Sequence, residues 1–142
     1  NKTIFLRNPN FNRPWQFVME PLKGYLILAK QQYQQPVKFS SSWNFGTKPN
    51  TVTSVKTIVR YFINFWGKGK FKVSKQKFYE QMNLQLDISK AKKYLKWLPT
   101  YNITNSVKIS VDWYKRVLIN KEDPIKVTED QIKNYIHDSK IN

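Results

Sequence analysis

Arg7-Asn-Pro-Asn-Phe-Asn-Arg13-Pro-Trp-Gln16 is the stretch that decides how the rest of this chain reads. It lies between a short β-type run and an apolar helical run, and it carries two of the four arginines. Asn8-Pro9-Asn10 is turn chemistry, so Arg13 stands just past a bend. Pro14 keeps the residue before it out of the helical region, which leaves Arg13 on an extended backbone. Trp15 follows, large, flat and able to wall a pocket. An arginine offers a planar fork of donors that grips phosphate bidentately, whereas a lysine is a mobile point charge. Two readings stay open on these residues alone. One is an arginine presented to an anionic ligand from a stiffened loop; the other is a surface arginine beside a core tryptophan.

Working outward, Lys2 to Arg7 is rich in β-branched and aromatic residues and reads as a strand. On the other side Glu20-Pro21 opens a helix, with proline in the first turn where its missing N–H costs nothing. Leu22, Tyr25, Leu26, Ala29 and Tyr33 recur at helical spacing, and Gln34-Gln35-Pro36 closes the run. That wide apolar face predicts a packed helix. Val37 to Phe45 reads as a strand at the edge of a parallel sheet, closing on Trp43-Asn44-Phe45-Gly46. Thr51 to Trp66 predicts a strongly amphipathic helix, with Val55, Ile58, Val59, Phe62, Ile63 and Trp66 in one stripe and Gly67 as its stop.

Further along, Phe71 to Val73 and Leu84 to Leu86 read as short strands, with a polar loop between. Asp87 caps a short helix ending near Leu95, and Trp97-Leu-Pro99 terminates it. Ile103, Val107, Val111, Tyr114 and Leu118 mark a long helix. Asn120 to Lys126 is a charged linker. Thr128-Glu-Asp-Gln131 is a capping box that opens a last short helix, with Ile132, Tyr135 and Ile136 facing inward.

The bulk numbers bound what such a chain can do. Its 142 residues are the size of one domain, and 40% hydrophobic content supplies a core. Without cysteine there are no disulfides, thiolate metal sites or cysteine catalysis. His137 is the single histidine, and no metal set can be built around it. The adjacent acids, Glu122-Asp123 and Glu129-Asp130, read as solvation and helix capping. The four glycines form no phosphate-binding pattern: Gly67-Lys-Gly69 lacks a third glycine and follows a helix. No tyrosine is followed four residues later by lysine. No apolar run approaches the roughly 18 residues of a membrane span and no signal peptide is seen, so a cytoplasmic protein is expected.

A net charge of +16 is a footprint that nucleic-acid binders share, which makes a small basic nucleic-acid-binding protein the alternative. The lysines are scattered singly or in short pairs such as Lys92-Lys93 and Lys115-Arg116. They read as solvated faces, and nucleic acid is not the expected partner.

Four segments in order carry a family resemblance. They are Arg7-Asn-Pro through Arg13-Pro-Trp-Gln16 to Glu20-Pro-Leu-x-Gly24-Tyr-Leu, then Trp43-Asn-Phe-Gly46, then Leu86-Asp-x-Ser-Lys-Ala91, then Leu95-x-Trp97-x-Pro99 leading to Trp113-Tyr114. Together they resemble the C-terminal part of the extended short-chain dehydrogenase/reductase family. The opening Arg-Pro-Trp-Gln with Glu-Pro-Leu is most similar to the CDP-glucose 4,6-dehydratases, which are lyases. The resemblance covers nearly the whole chain and thins after Lys121.

The resemblance implies an α/β fold: a nucleotide-sugar-binding C-terminal domain over residues 1–121, then a charged linker and short helix over 122–142. One strand and two helices would belong with an absent N-terminal Rossmann domain. In such enzymes bound NAD oxidises the sugar at C4, water leaves between C5 and C6, and the hydride returns to C6. The NAD site and the catalytic tyrosine and lysine have no counterpart here, so no cofactor and no catalysis are expected of this chain alone. A CDP-sugar is the implied ligand. Arg13 corresponds to the family arginine on the substrate diphosphate, Asn44 to an asparagine near the phosphates, and Leu6 to the strand bordering the nucleobase. Glu80 matches a glutamate in a His-Pro-His-Glu-type segment, although Lys75-Gln-Lys-Phe-Tyr79 replaces the histidines. Lys96 stands where relatives carry a glycine before Trp97, so it must take a left-handed backbone at a cost. A strand edge and helix faces left uncovered predict a homo-oligomer.

Overall fold

The computed structural model describes residues 2–49, 51–74 and 81–140. Its sheets are minimal. β1 (Ile4–Leu6) pairs in parallel with β4 (Phe71–Val73), Leu6 lying opposite Val73. β2 (Asn12–Arg13) pairs antiparallel with β3 (Thr53–Ser54), Arg13 opposite Thr53. The other edge of β2 is met by residues 81–84: Asn12 forms a parallel bridge with Asn83, and its amide donates to the Met82 carbonyl at 2.9 Å. Leu84 to Leu86 is therefore a bridge-flanked loop, where the sequence predicted a strand.

Five α-helices make up most of the rest: α1 (Met19–Gln34), α2 (Pro36–Phe39), α3 (Val55–Trp66), α4 (Ile103–Tyr114) and α5 (Pro124–Ser139). Two π-type turns, Ala91–Leu95 and Lys115–Ile119, precede and extend α4. Local chemistry explains their limits. The Ser54 hydroxyl accepts from the Thr57 amide at the start of α3, and Gly67 ends it at φ 91°. The Asn102 side chain caps α4 through the Asn105 amide at 2.9 Å.

α5 begins five residues earlier than the capping box predicted. Asp123 is its cap, accepting from the Ile125 amide at 2.8 Å, with Pro124 at the first helical position. Thr128 instead donates to the Pro124 carbonyl from inside the helix. Of the three residues expected to face inward, only Tyr135 is buried; Ile132 and Ile136 are 38% and 46% exposed.

Two further expectations need correction. Val37 to Phe45 is not a strand: Pro36–Phe39 is a turn of helix, and residues 43–49 run without strand partners. A parallel strand exists only through its neighbours, and the described residues offer none here. Nor is the predicted face of α1 covered. Leu22, Tyr25 and Leu26 are exposed, and Tyr33 is 90% exposed. The buried side is the one carrying Glu20 and Gly24, with Ile27 and Leu28 packed on the core.

That core has two parts. Phe39, Phe45, Ile88, Ala91, Leu95 and Trp97 form one cluster beneath α1. Gly24 belongs to its packing, since a Cβ there would run into the Phe45 ring. Ile58, Val107 and Val111 form the other between α3 and α4, with Trp15, Phe62 and Trp66 against it. Of the predicted α3 stripe, Ile58, Phe62 and Trp66 pack there, while Val55, Val59 and Ile63 are half-buried outside this cluster.

Candidate functional site

Glu20, buried completely, ties the two ends of the molecule together. Its Oε1 accepts from the Tyr101 amide at 2.8 Å, and its Oε2 from the Thr100 amide at 2.8 Å and the Tyr135 hydroxyl at 2.6 Å. Its backbone carbonyl accepts from the Trp97 indole at 3.1 Å. Lys23, one turn on, donates to the Leu98 carbonyl and the Thr100 hydroxyl. Tyr101 in turn donates to Asp138 at 2.7 Å. A buried carboxylate is tolerable only when fully hydrogen-bonded. This one is, so the network is a structural staple joining α1, the 97–101 loop and α5.

The staple sets a pH dependence. Burial, and then the hydrogen bond to Glu20, raise the Tyr135 pKa well above the usual phenol value. Burial and the bond to Asp138 do the same for Tyr101. A raised folded-state pKa gives stability that is complete below the unfolded value, about 10 for tyrosine, and lost as pH rises past it. Burial lowers the Lys23 pKa, against the attraction of Glu20, and works the other way. Two tyrosines against one lysine leave the slope downward. Denaturation midpoints are expected to stay level from pH 7 to 9 and fall above 10, and a midpoint unchanged at pH 11 would contradict this.

The residues singled out in the sequence stand beside the staple. Arg13 lies on β2, half-buried, its Nη1 donating to the Asn12 carbonyl at 2.8 Å and the Gln81 carbonyl at 2.9 Å. The guanidinium also sits over the Phe11 ring at 5.6 Å. Trp15 does both things the sequence left open: it packs on the α3–α4 core and lines a cleft. Its indole N–H is held by the Thr53 carbonyl at 3.1 Å, so the turn after Arg13 is fixed to β3.

Asn44 is exposed and donates to the Asp87 carbonyl at 3.3 Å. It is linked to the Arg13 segment through the next residue, because Gln16 Nε2 donates to the Phe45 carbonyl at 2.9 Å. The Leu6 side chain is buried within β1 and does not line that cleft. Glu80 lies outside the described residues. Gln16 and Glu20 entered the sequence reading only within the Arg-Pro-Trp-Gln and Glu-Pro-Leu segments, and Glu20 as a helix start; neither was given a role. Besides that segment, the signal for Glu20 was its place on one helical face with Gly24, Ile27 and Leu28.

Among the described residues there is no glycine-rich turn of the kind that seats a dinucleotide. None of the four glycines opens a helix after a strand: Gly24 is inside α1, Gly46 packs on Leu86, and Gly67 and Gly69 follow α3. Among the described residues no three His, Asp or Glu side chains gather to hold a metal, and no helix is long and apolar enough to cross a membrane.

This arrangement of small sheets, α1 and the α3–α4 pair has the fold of part of a solved sugar-nucleotide epimerase. It matches UDP-glucose 4-epimerase of Thermotoga maritima, solved with UDP-glucose, at a TM-score of 0.61 and 17% identity, over 82% of this chain and 36% of that one. In sequence the chain is 34% identical over 138 residues to CDP-glucose 4,6-dehydratase of Salmonella typhimurium. That similarity spans 96% of this chain and 38% of the relative's length. No family model matches. The resemblance read from the four segments therefore holds, and the relatives are sugar-nucleotide enzymes.

Proposed function

We propose that this chain is the nucleotide-sugar-binding portion of an NAD-dependent sugar-nucleotide 4,6-dehydratase, and that its ligand is CDP-glucose. The observation that carries this reading is the mounting of Arg13. The residues on either side of the arginine are fixed, by β-pairing at Asn12 and by the Trp15 indole bond to Thr53. A planar donor fork held so has its ordering cost met in advance, which suits a diphosphate. Asn44 stands beyond Gln16 in the same hydrogen-bonded run, and Leu6 and Glu80 complete the proposed ligand set. The similarity to CDP-glucose 4,6-dehydratase supports the choice of ligand.

Arg13→Lys is expected to weaken CDP-glucose binding by about 1–3 kcal/mol, because a point charge replaces a bidentate fork. Titration calorimetry of both proteins checks it, and equal affinities would remove Arg13 from the site. The chain alone is expected to turn over no substrate with added NAD, since it holds no dinucleotide turn.

The exposed face of α1 supports the second half of the proposal. Leu22, Tyr25, Leu26 and Tyr33 offer an apolar stripe with Val37, 95% exposed, at its far end. The chain spans little over a third of each relative, and the remaining Rossmann portion is the surface this stripe would seat. Without it the stripe pairs with a second copy, since burial at about 25 cal/mol per Å² outweighs a repulsion screened beyond about 8 Å. Light scattering is expected to give a mass above 17.0 kDa, reduced by Leu26→Glu. A monodisperse monomer at high concentration in moderate salt would count against it.

A further inference from the structure

Gln16 stands three residues beyond Arg13, and its side chain bonds one residue past Asn44. Its Nε2 donates to the Phe45 carbonyl at 2.9 Å, across 29 residues of chain. On the Arg13 side the backbone is fixed, by β-pairing at Asn12 and by the Trp15 indole bond. On the Asn44 side it is not. Among the described residues, 42–47 make no backbone-to-backbone hydrogen bond. That run is held by the ring of Phe45 in the core, by Trp43 against it, and by side chains that reach its carbonyls. Lys90 on the Ser42 carbonyl and Asn44 on the Asp87 carbonyl bond at the surface, where water competes. The Gln16 bond is part-buried, and it ties the run to the Arg13 segment.

Keeping a glutamine here costs stability. Its Oε1 is buried and has no partner among the described residues, and an unpaired buried acceptor is unfavourable. A methionine would fill the same space without it. Residues that break a local rule of stability are expected where function requires them. We infer that Gln16 is a positioning residue: its side-chain N–H sets the Phe45 carbonyl, and with it Asn44, in register with Arg13, so that the two segments grip one diphosphate together. This rests on the reading of the chain as a nucleotide-sugar binder, and it adds a residue that acts through Asn44 without touching the ligand.

Gln16→Met keeps the length of the side chain and removes the donor. It also removes the unpaired Oε1 while leaving the Phe45 carbonyl without its partner, so one unmet acceptor replaces another. The urea midpoint is therefore expected to hold while CDP-glucose binding weakens about tenfold. A bond that served only the fold would move the midpoint and leave the affinity of the folded chain unchanged. The second readout is coupling, from calorimetry on the parent, Asn44→Ala, Gln16→Met and the double variant. Asn44→Ala is expected to weaken binding severalfold in the parent and to add little in the Gln16→Met background. Additive losses, or a midpoint that falls while affinity holds, overturn the inference. Gln16→Asn, a methylene too short to reach Phe45, repeats the comparison where Gln16→Met does not fold. Failure of both to fold shows that the bond serves the fold itself, and overturns the inference too. CDP-glucose affinity that ignores Arg13→Lys sinks the diphosphate assignment and this inference with it. Affinity that depends on Arg13 but ignores Gln16→Met sinks this inference alone.

Discussion

Replacing Glu20 by alanine is expected to leave most of the chain unfolded at room temperature. The substitution strands three donors at once: the Thr100 and Tyr101 amides and the Tyr135 hydroxyl. Each unmet buried donor costs about 1–3 kcal/mol. Their sum, of order 5 kcal/mol, rivals the whole stability of a domain this size. Glu20→Gln keeps one oxygen but turns an N–H₂ group towards donors on the other side, so it should recover only part of the loss. Urea titration followed by circular dichroism measures both. An alanine variant whose midpoint matches the parent would show that the carboxylate is not what joins α1 to α5.

Trp97→Ala carries the next largest expectation, a loss of about 3–5 kcal/mol. The ring is fully buried, its edge set against Phe45 with centroids 5.0 Å apart, and its N–H reaches the Glu20 carbonyl. Truncation opens a cavity in a cluster whose neighbours are pinned: Phe45 is held by Tyr25 on one side and by the close approach of Gly24 on the other. The loss should appear in the denaturation midpoint with little change in slope. A cost below 1 kcal/mol would mean that the cluster collapses freely onto the gap.

Features set by local chemistry were legible in the sequence. The α3 stripe and its Gly67 stop, the helix closing at Gln34, and the two parallel strands stand where periodicity and turn residues put them. Lys96 takes the left-handed backbone expected of its position, at φ 54°. Features set by distant partners were not legible. α1 has two faces at helical spacing, and periodicity cannot say which meets the core; the polar-looking side with Glu20 and Gly24 does so because backbone amides from Thr100 and Tyr101 are waiting there. The Trp43–Gly46 run has strand composition but no neighbouring strand among the described residues. At the site, Arg13 was found because proline and asparagine announce its turn. The role of Gln16 was missed because its side chain bonds the Phe45 carbonyl, 29 residues away, which leaves no mark on its neighbours in sequence.

The bond from Tyr135 to Glu20 spans 115 residues. On a ribosome adding about 5–20 residues per second, Glu20 emerges roughly 6–23 s before its last donor does. Through that interval the Glu20 side chain has only the two backbone donors of the 97–101 loop to gather. The last hydrogen bond to the Glu20 carboxylate thus waits for α5. The order of synthesis, and not only the final contacts, bears on when α1 settles.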